Sequence, residues 1–153
     1  MAKTSYIYCD SNVFLAYFNE EDDRADLLDT LFEEIKKDPM RRILTSSITI
    51  VEVAEAVSGY QDRINLKRLD SFWADRNLLE FADFHERIAH QARDLTWLAA
   101  ESGMSLKSSD AVHLASALMF GAKEFLTYDN LMQFTDITGL DIKEPYVNQP
   151  RLL

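Results

Sequence analysis

Cysteine, glycine and proline are all scarce in this chain of 153 residues, which contains one cysteine, four glycines and three prolines. A single cysteine excludes an internal disulfide framework. We interpret Cys9, which lies in an apolar run, as a small buried side chain rather than a reactive thiol. The chain also contains no internal repeat, low-complexity segment or linker, so we expect one domain over residues 1–153. Its core should span about residues 4–144 and be followed by a short C-terminal tail.

Long apolar runs are absent as well. No stretch approaches the roughly 20 residues that cross a membrane. Residues 1–10 contain one lysine and no long apolar region, which is not the pattern of a signal peptide. With no disulfide and no membrane segment, we expect a cytoplasmic location and no membrane partner.

Basic residues are few for a protein that would hold nucleic acid by bulk attraction. There are 16 lysines and arginines against 26 acidic residues, a formal charge of −10. This balance excludes broad electrostatic binding of a polyanion. The acidic residues either solvate the surface or are partly concentrated around divalent cations, and net charge does not decide between these two interpretations.

Short apolar runs alternate along the chain with segments of helical periodicity. Strands are predicted at residues 6–9, 43–46, 78–81, 124–128 and 140–142. Helices are predicted at residues 13–18, 27–37, 47–58, 64–74, 85–103 and 108–120, with turns at 59–62 and near 131–134. Such alternation is typical of an α/β fold with a parallel sheet.

The helix predicted at 108–120 carries an acidic residue in its first turn, Asp110. Ser108 or Ser109 is a suitable N-cap, and Gly121 is a suitable end signal. First-turn acidic residues are common because the helix dipole favours them. Asp110 is therefore a candidate functional residue only if other acidic residues converge on it.

Three further acidic residues occupy comparable positions. Asp10 and Asp129 each follow a predicted strand, and Glu52 lies near the start of the helix that follows the second strand. In parallel sheets these positions share the carboxyl edge, where ligands bind. Each residue also has an ordinary interpretation as a turn, cap or surface residue. Four converging carboxylates would repel one another unless hard divalent cations, such as Mg²⁺ or Mn²⁺, neutralised them.

Four motifs, in order, make the chain resemble the PIN-domain family, and in particular the toxin ribonucleases of VapC type. They are YCDSNVFLAYF around Asp10, TSSITIVEV around Glu52, SSDAVHLASA around Asp110 and FLTYD around Asp129. The resemblance extends from Tyr6 to about Ile142. It implies a three-layer α/β/α sandwich with a central parallel sheet of four to five strands.

The resemblance also implies a function, metal-dependent hydrolysis of RNA phosphodiester bonds. By it, Asp10, Glu52, Asp110 and Asp129 are the catalytic residues and bind one or two Mg²⁺ or Mn²⁺ ions. Family members vary at the fourth acidic position, so Asn130 or Asp136 could take the place of Asp129. Possible supporting residues around the ligands are Asn12, Ser109 and Asn130.

The partners that this resemblance implies are an RNA substrate, a small antitoxin protein and a second copy of the chain. The aromatic residues Phe14, Tyr17 and Phe18, with the helix at 27–35, could offer an antitoxin groove, although core packing explains them equally well. The acidic surface departs from expectation for a nuclease. Candidates for a basic rim around the site are Lys107, Arg41, Arg42, Arg63, Lys67 and Arg68.

Two other enzyme classes that place an aspartate after the first strand fit the sequence poorly. Phosphoryl-transfer enzymes of the haloacid dehalogenase type need a second aspartate two residues after the first, where this chain has Asn12. Receiver domains need a lysine after a late strand, and none follows Asp129 before Lys143. A third alternative is a PIN-like scaffold that binds RNA or protein with little turnover.

Overall fold

The computed structural model describes residues 3–57 and 63–148, which fold into parallel strands and intervening helices. The strands are β1 (Ser5–Cys9), β2 (Arg41–Ser46), β3 (Leu79–Ala82), β4 (Glu124–Leu126) and β5 (Asp141–Lys143). The helices are α1 (Ser11–Phe18), α2 (Asp22–Lys37), α3 (Ile48–Ala56), α4 (Arg63–Trp73), α5 (Glu86–Glu101), α6 (Ser108–Met119) and α7 (Thr135–Thr138). A single 3₁₀ turn at Met132–Phe134 precedes α7.

The five strands form one sheet in the order β3-β2-β1-β4-β5, and every neighbouring pair is parallel. The chain moves outward from β1 through β2 to β3 and then returns to the other side of β1 with β4. The direction of winding therefore reverses between β1 and β4. In open α/β sheets this reversal opens a crevice at the carboxyl ends of the two strands. The prediction of an α/β fold with a parallel sheet is confirmed.

Helices cover both faces of the sheet, which confirms the predicted three-layer sandwich. Along β1, Ile7 and Cys9 pack into one apolar cluster and Tyr8 into another, as the alternation of side chains in a strand requires. The first cluster is built with α1 to α4, and the second mainly with α5 and α6. Cys9 is fully buried, as predicted.

The aromatic residues considered for an antitoxin groove belong mostly to this core. Phe14 and Phe18 are buried, and both rings pack edge-on against Phe72 and Trp73. Tyr17 is half-buried and contacts the same ring cluster. Core packing therefore accounts for these residues, because their apolar surface is already covered.

The start of α6 differs from the prediction, whereas its end agrees. Lys107, not Ser108 or Ser109, is the N-cap residue, and no side chain caps the helix there. The reason is that Lys107 has an extended backbone while Ser108 is already helical. Gly121 follows the helix with φ of +74°, a left-handed conformation that glycine adopts without strain.

Other boundaries shift by a few residues. The fourth strand ends at Leu126 rather than residue 128, because the Thr127 hydroxyl accepts the Asp129 amide and forms a turn. The acidic segment before residue 27 joins α2, which begins at Asp22. The predicted turn at 59–62 and the last residues, 149–153, lie outside the described residues. Within the described ranges, no helix combines the length and apolar character of a membrane span.

Candidate metal centre

An open pocket of about 350 Å³ lies at the carboxyl edge of the sheet, where β1 and β4 end. The structure brings all four predicted acidic residues to it. They arrive from different elements: Asp10 after β1, Glu52 from α3, Asp110 from the first turn of α6 and Asp129 after β4. The remaining lining residues include Ser11, Asn12, Glu55, Lys107, Ser109 and His113.

Asp10 is the most buried of these carboxylates, with only 2% of its surface exposed. Its Oδ2 atom accepts a hydrogen bond of 3.1 Å from Asn12. Its Oδ1 atom is buried and has no hydrogen-bond partner among the described residues. Burial raises the pKa of Asp10 to about 7, and the carboxylates of Asp129 and Asp110 add to this rise. The charged form therefore needs a positive partner that these residues do not supply.

Asn12 joins the ends of β1 and β4. Its Nδ2 atom donates to Asp10 and, over 3.1 Å, to the Thr127 hydroxyl, while its Oδ1 atom accepts the Tyr128 amide over 2.8 Å. These bonds use the amide as both donor and acceptor, which an aspartate at this position could not do at neutral pH. They fix the orientation of Asp10 relative to the Asp129 turn.

Glu52 is half-buried and held by two donors on the same oxygen. The Ser11 hydroxyl donates to Oε1 over 2.6 Å, and the Nε2 atom of His113 lies 2.8 Å from it. Burial alone would raise the pKa of Glu52, but the hydrogen bonds from His113 and Ser11 outweigh it and lower this pKa. Glu52 is therefore ionised near neutral pH.

Asp110 and Asp129 complete the acidic wall of the pocket. Partial burial raises the pKa of Asp110, and the nearby carboxylate of Asp129 raises it further. Asp129 itself is exposed, and its amide is tied to Thr127. Mutual repulsion among Asp10, Asp110 and Asp129 indicates that their charges act on a common space.

The alternatives for the fourth acidic position do not reach this pocket. Asn130 and Asp136 are both exposed and are absent from its lining, whereas Asp129 is part of it. Of the other predicted supporting residues, Asn12 contacts Asp10 directly, and Ser109 lies in the lining.

Positive charge is sparse around the pocket. Of the described residues that line it, Lys107 is the only lysine or arginine. Arg41 and Arg42 begin β2 and so lie at the amino edge of the sheet, away from the pocket. The guanidinium group of Arg68 lies over the Phe18 ring at 5.3 Å. Among the predicted basic-rim residues whose side chains the structure describes, Lys107 alone lies at the site.

The residues fit a hard divalent cation by their chemistry. Carboxylate oxygens are the ligands that Mg²⁺ and Mn²⁺ favour, and the buried Oδ1 atom of Asp10 lacks a donor. Among the described residues, no three acidic, histidine or cysteine side chains converge closely enough to hold an ion as they stand. Ion binding would therefore require the carboxylates to rotate towards one another.

Several residues that organise this site have no predicted role. Tyr8 and Ser11 lie in the motif around Asp10, His113 in the motif around Asp110, and Thr127 in the motif around Asp129. The available signal for His113 was its spacing, since it lies three residues after Asp110 and thus on the same side of α6. Its partners come from distant parts of the chain, which helical spacing does not reveal.

Solved structures with the same fold are found among toxin–antitoxin complexes. A VapBC2 complex of Rickettsia felis, bound to a DNA fragment from its promoter, is 20% identical with a TM-score of 0.69. The match covers 90% of this chain and 98% of that chain. VapBC-1 of nontypeable Haemophilus influenzae is 18% identical with a TM-score of 0.65, covering 91% and 97% of the two chains.

A third similar structure is VapC20 of Mycobacterium tuberculosis, described as a toxin that cleaves the sarcin-ricin loop. It is 15% identical with a TM-score of 0.63, and the match covers 83% of this chain and 92% of that chain. At these identities the likeness concerns the fold. No curated protein matches the chain in sequence.

The family itself follows from the sequence match. The family model described as the PIN domain matches residues 7–137, which include most of β1, all of β2 to β4 and the four predicted acidic residues of the pocket. The match covers most of the chain and agrees with the order of strands and helices. This protein belongs to the PIN domain family.

Proposed function

We propose that this protein is a Mg²⁺- or Mn²⁺-dependent endoribonuclease of VapC type, the toxin of a type II toxin–antitoxin pair. The observation that carries the proposal is the buried Oδ1 atom of Asp10, which lacks a donor among the described residues and shares its pocket with the three other predicted carboxylates. A buried, unpaired carboxylate is costly, and divalent cations at this position would offset that cost.

In this proposal Asp10 and Asp110 hold the first cation, Glu52 completes its surroundings or orients the attacking water, and Asp129 supports a second cation. When bound, the metal activates a water molecule and neutralises charge that develops at the phosphate. Asn12 keeps Asp10 in place through its bonds to Asp10 and Thr127. Lys107 contacts a phosphate oxygen of the RNA at the mouth of the pocket.

The assignment as a toxin rests on the PIN family and on neighbours that are themselves VapC toxins or VapBC complexes. By analogy we propose an antitoxin partner, a homodimer and action in the cytoplasm. Ile50 and Val51 support a protein partner near the site, because both are exposed apolar residues beside Glu52 in α3.

The direct test is cleavage of a mixed pool of structured RNA by the purified protein with Mg²⁺, with Mn²⁺ or with EDTA. We expect cleavage that requires metal and falls at least about a hundredfold in Asp10→Asn and in Asp110→Asn, because metal-dependent activation of water is lost. The exposed Asp136→Asn serves as the matched control and should cleave normally. Intact RNA under every metal condition, with no inhibitor detected by mass spectrometry, would instead favour a binding scaffold.

A further inference from the structure

We propose that His113 is a positioning residue, which acts through Glu52 and holds one oxygen of that carboxylate so that the other is presented to the cation site. The inference rests on the proposed metal site and adds to it a buried hydrogen-bonded chain from Tyr8 through His113 to Glu52. This chain links β1, α6 and α3.

Both ring nitrogens of His113 are engaged although the side chain is only 3% exposed. The Nδ1 atom lies 2.6 Å from the Tyr8 hydroxyl, and the Nε2 atom lies 2.8 Å from Oε1 of Glu52. Tyr8 is fully buried, and its hydroxyl oxygen accepts the Ser46 amide over 3.0 Å. The ring of His113 is therefore fixed at both ends.

The direction of each hydrogen bond follows from the donors available. The ionised carboxylate of Glu52 can only accept, so Nε2 of His113 must carry the proton and donate. In a neutral imidazole Nδ1 is then an acceptor, and the Tyr8 hydroxyl donates to it. The Tyr8 oxygen is left free to accept the Ser46 amide, as observed. Each polar group in the series from Tyr8 through His113 to Glu52 thus has a hydrogen-bond partner of the correct kind.

The consequence for Glu52 is an asymmetric carboxylate. His113 and Ser11 both donate to Oε1, so this oxygen is occupied from two sides. Among the described residues, the second oxygen, Oε2, accepts no hydrogen bond and remains for a cation or for a water molecule bound to it. His113 also lies one helical turn after Asp110 in α6, so the same turn that orients Glu52 carries another acidic residue of the pocket.

A purely structural role for a buried histidine is the competing explanation. The two roles differ in whether the effect of His113 depends on the Glu52 carboxylate. If His113 is a positioning residue, its substitution lowers metal affinity only while Glu52 can bind metal. If its role is structural, the substitution disturbs the whole pocket and lowers metal affinity whether or not Glu52 can bind metal. Double-mutant cycles separate such coupled effects from independent ones.

The experiment measures Mn²⁺ affinity by calorimetry or electron paramagnetic resonance, which does not depend on RNA cleavage. The variants are His113→Leu, His113→Gln, Glu52→Gln and the double variant Glu52→Gln/His113→Leu. The control is Thr138→Ala, which removes a half-buried hydroxyl in α7 that bonds to the Phe134 carbonyl, outside the pocket lining. Melting temperatures in EDTA verify that each variant folds.

We expect His113→Leu to weaken Mn²⁺ binding by about 10- to 100-fold, the usual effect of losing a partner that orients a metal ligand. His113→Gln, which keeps a donor for Glu52, should recover most of this loss. In the Glu52→Gln background, His113→Leu should have little further effect, and Thr138→Ala should bind Mn²⁺ normally. An equal loss from His113→Leu with and without the Glu52 carboxylate would overturn the proposal.

A second measurement covers the case in which His113→Leu does not fold. Nitrogen-15 NMR of histidine-labelled wild-type protein reports the tautomer of each imidazole, and we expect the Nε2–H form for His113. A proton on Nδ1 would overturn the arrangement. Mn²⁺ binding that depends on His113 but is not accompanied by RNA cleavage would support the inference and refute the proposed nuclease. RNA cleavage that requires metal, together with an Mn²⁺ affinity that His113→Leu leaves unchanged, would support the proposed nuclease and overturn the inference about His113.

Discussion

Asp10 illustrates how a single residue can report on the whole site. Its carboxyl group is placed by β1 at the point where the sheet reverses its winding, and burial there raises its pKa from an ordinary value of 3.8 to about 7. Such a group is tolerated in a protein when its function compensates for the loss of stability. The stability of the metal-free protein should therefore be lowered measurably by the buried Asp10 carboxylate.

The first prediction concerns the pH dependence of stability. Because the pKa of Asp10 is raised on folding, its stabilising contribution is full below about pH 4 and is lost as the pH rises through about 7. A shift of this size corresponds to roughly 4 kcal/mol at most. Asp10→Asn should therefore stabilise the metal-free protein, and more at pH 8 than at pH 5. Urea unfolding in EDTA measures both values.

The exposed Asp136→Asn is the control for this comparison, since it removes the same charge from a solvated position. A gain in unfolding free energy that is the same at pH 5 and pH 8 would contradict the prediction. Such a result would mean that Asp10 titrates as an exposed aspartate does.

A second prediction concerns Lys107, the only lysine or arginine among the described lining residues of the pocket. Removing one phosphate contact should weaken RNA binding for all sequences and lower the salt dependence by about one unit of slope. We expect Lys107→Ala to raise KM for RNA about tenfold with kcat and Mn²⁺ affinity nearly unchanged. Lys123→Ala is the control, because Lys123 precedes β4 at the opposite edge of the sheet. Equal KM values in the two variants would exclude this role.

At the scale of single elements, α6 brings Asp110, His113 and the flanking Lys107 to the pocket. Its other side is buried: Ala111, Leu114 and Ala115 pack into the second apolar cluster. The helix therefore anchors the site to the core. Its length and position depend on the left-handed turn at Gly121 that ends it.

A third prediction tests that end signal. A Cβ atom at Gly121 would meet no heavy atom within 4 Å, so the cost of Gly121→Ala is confined to the positive φ. We expect a loss of about 1 kcal/mol in the free energy of unfolding. Ser102→Ala, at the end of α5 where φ is −91°, should cost less. Indistinguishable unfolding free energies for the two variants would contradict this account of the helix end.

Most elements could be predicted from the sequence because their signals are local. Apolar runs such as Tyr6–Cys9 and the periodic residues of α6 depend on neighbours along the chain. Element ends were less accurate: Lys107 replaced the expected serine cap because backbone conformation, not side-chain preference, determined where α6 begins. The turn at Thr127 that shortens β4 likewise depends on a side-chain hydrogen bond.

At the scale of the whole molecule, the sequence indicated which acidic residues follow strands but not how the strands are ordered. The order β3-β2-β1-β4-β5 depends on contacts between distant segments. The role of His113 could not be predicted for the same reason. Tyr8 precedes it by 105 residues and Glu52 by 61, so only the folded chain brings these groups together.

Part of the acidic character of the molecule is concentrated in the pocket at the carboxyl edge of the sheet. A net charge of −10 does not attract RNA, but five of the acidic residues line one pocket at the edge of the sheet. Divalent cations bound there would reverse the local sign and draw a phosphate into the site. The proposed function therefore requires the cations to lie in this pocket and not elsewhere on the acidic surface.

Anomalous diffraction from crystals soaked in Mn²⁺ tests this claim most directly. We predict a manganese peak between the carboxylates of Asp10 and Asp110, with Glu52 turned towards it, and its loss in crystals of Asp10→Asn. An additional peak near Asp129 would indicate a second ion. Manganese that is well ordered only outside the pocket, under conditions in which it supports RNA cleavage, would contradict the account.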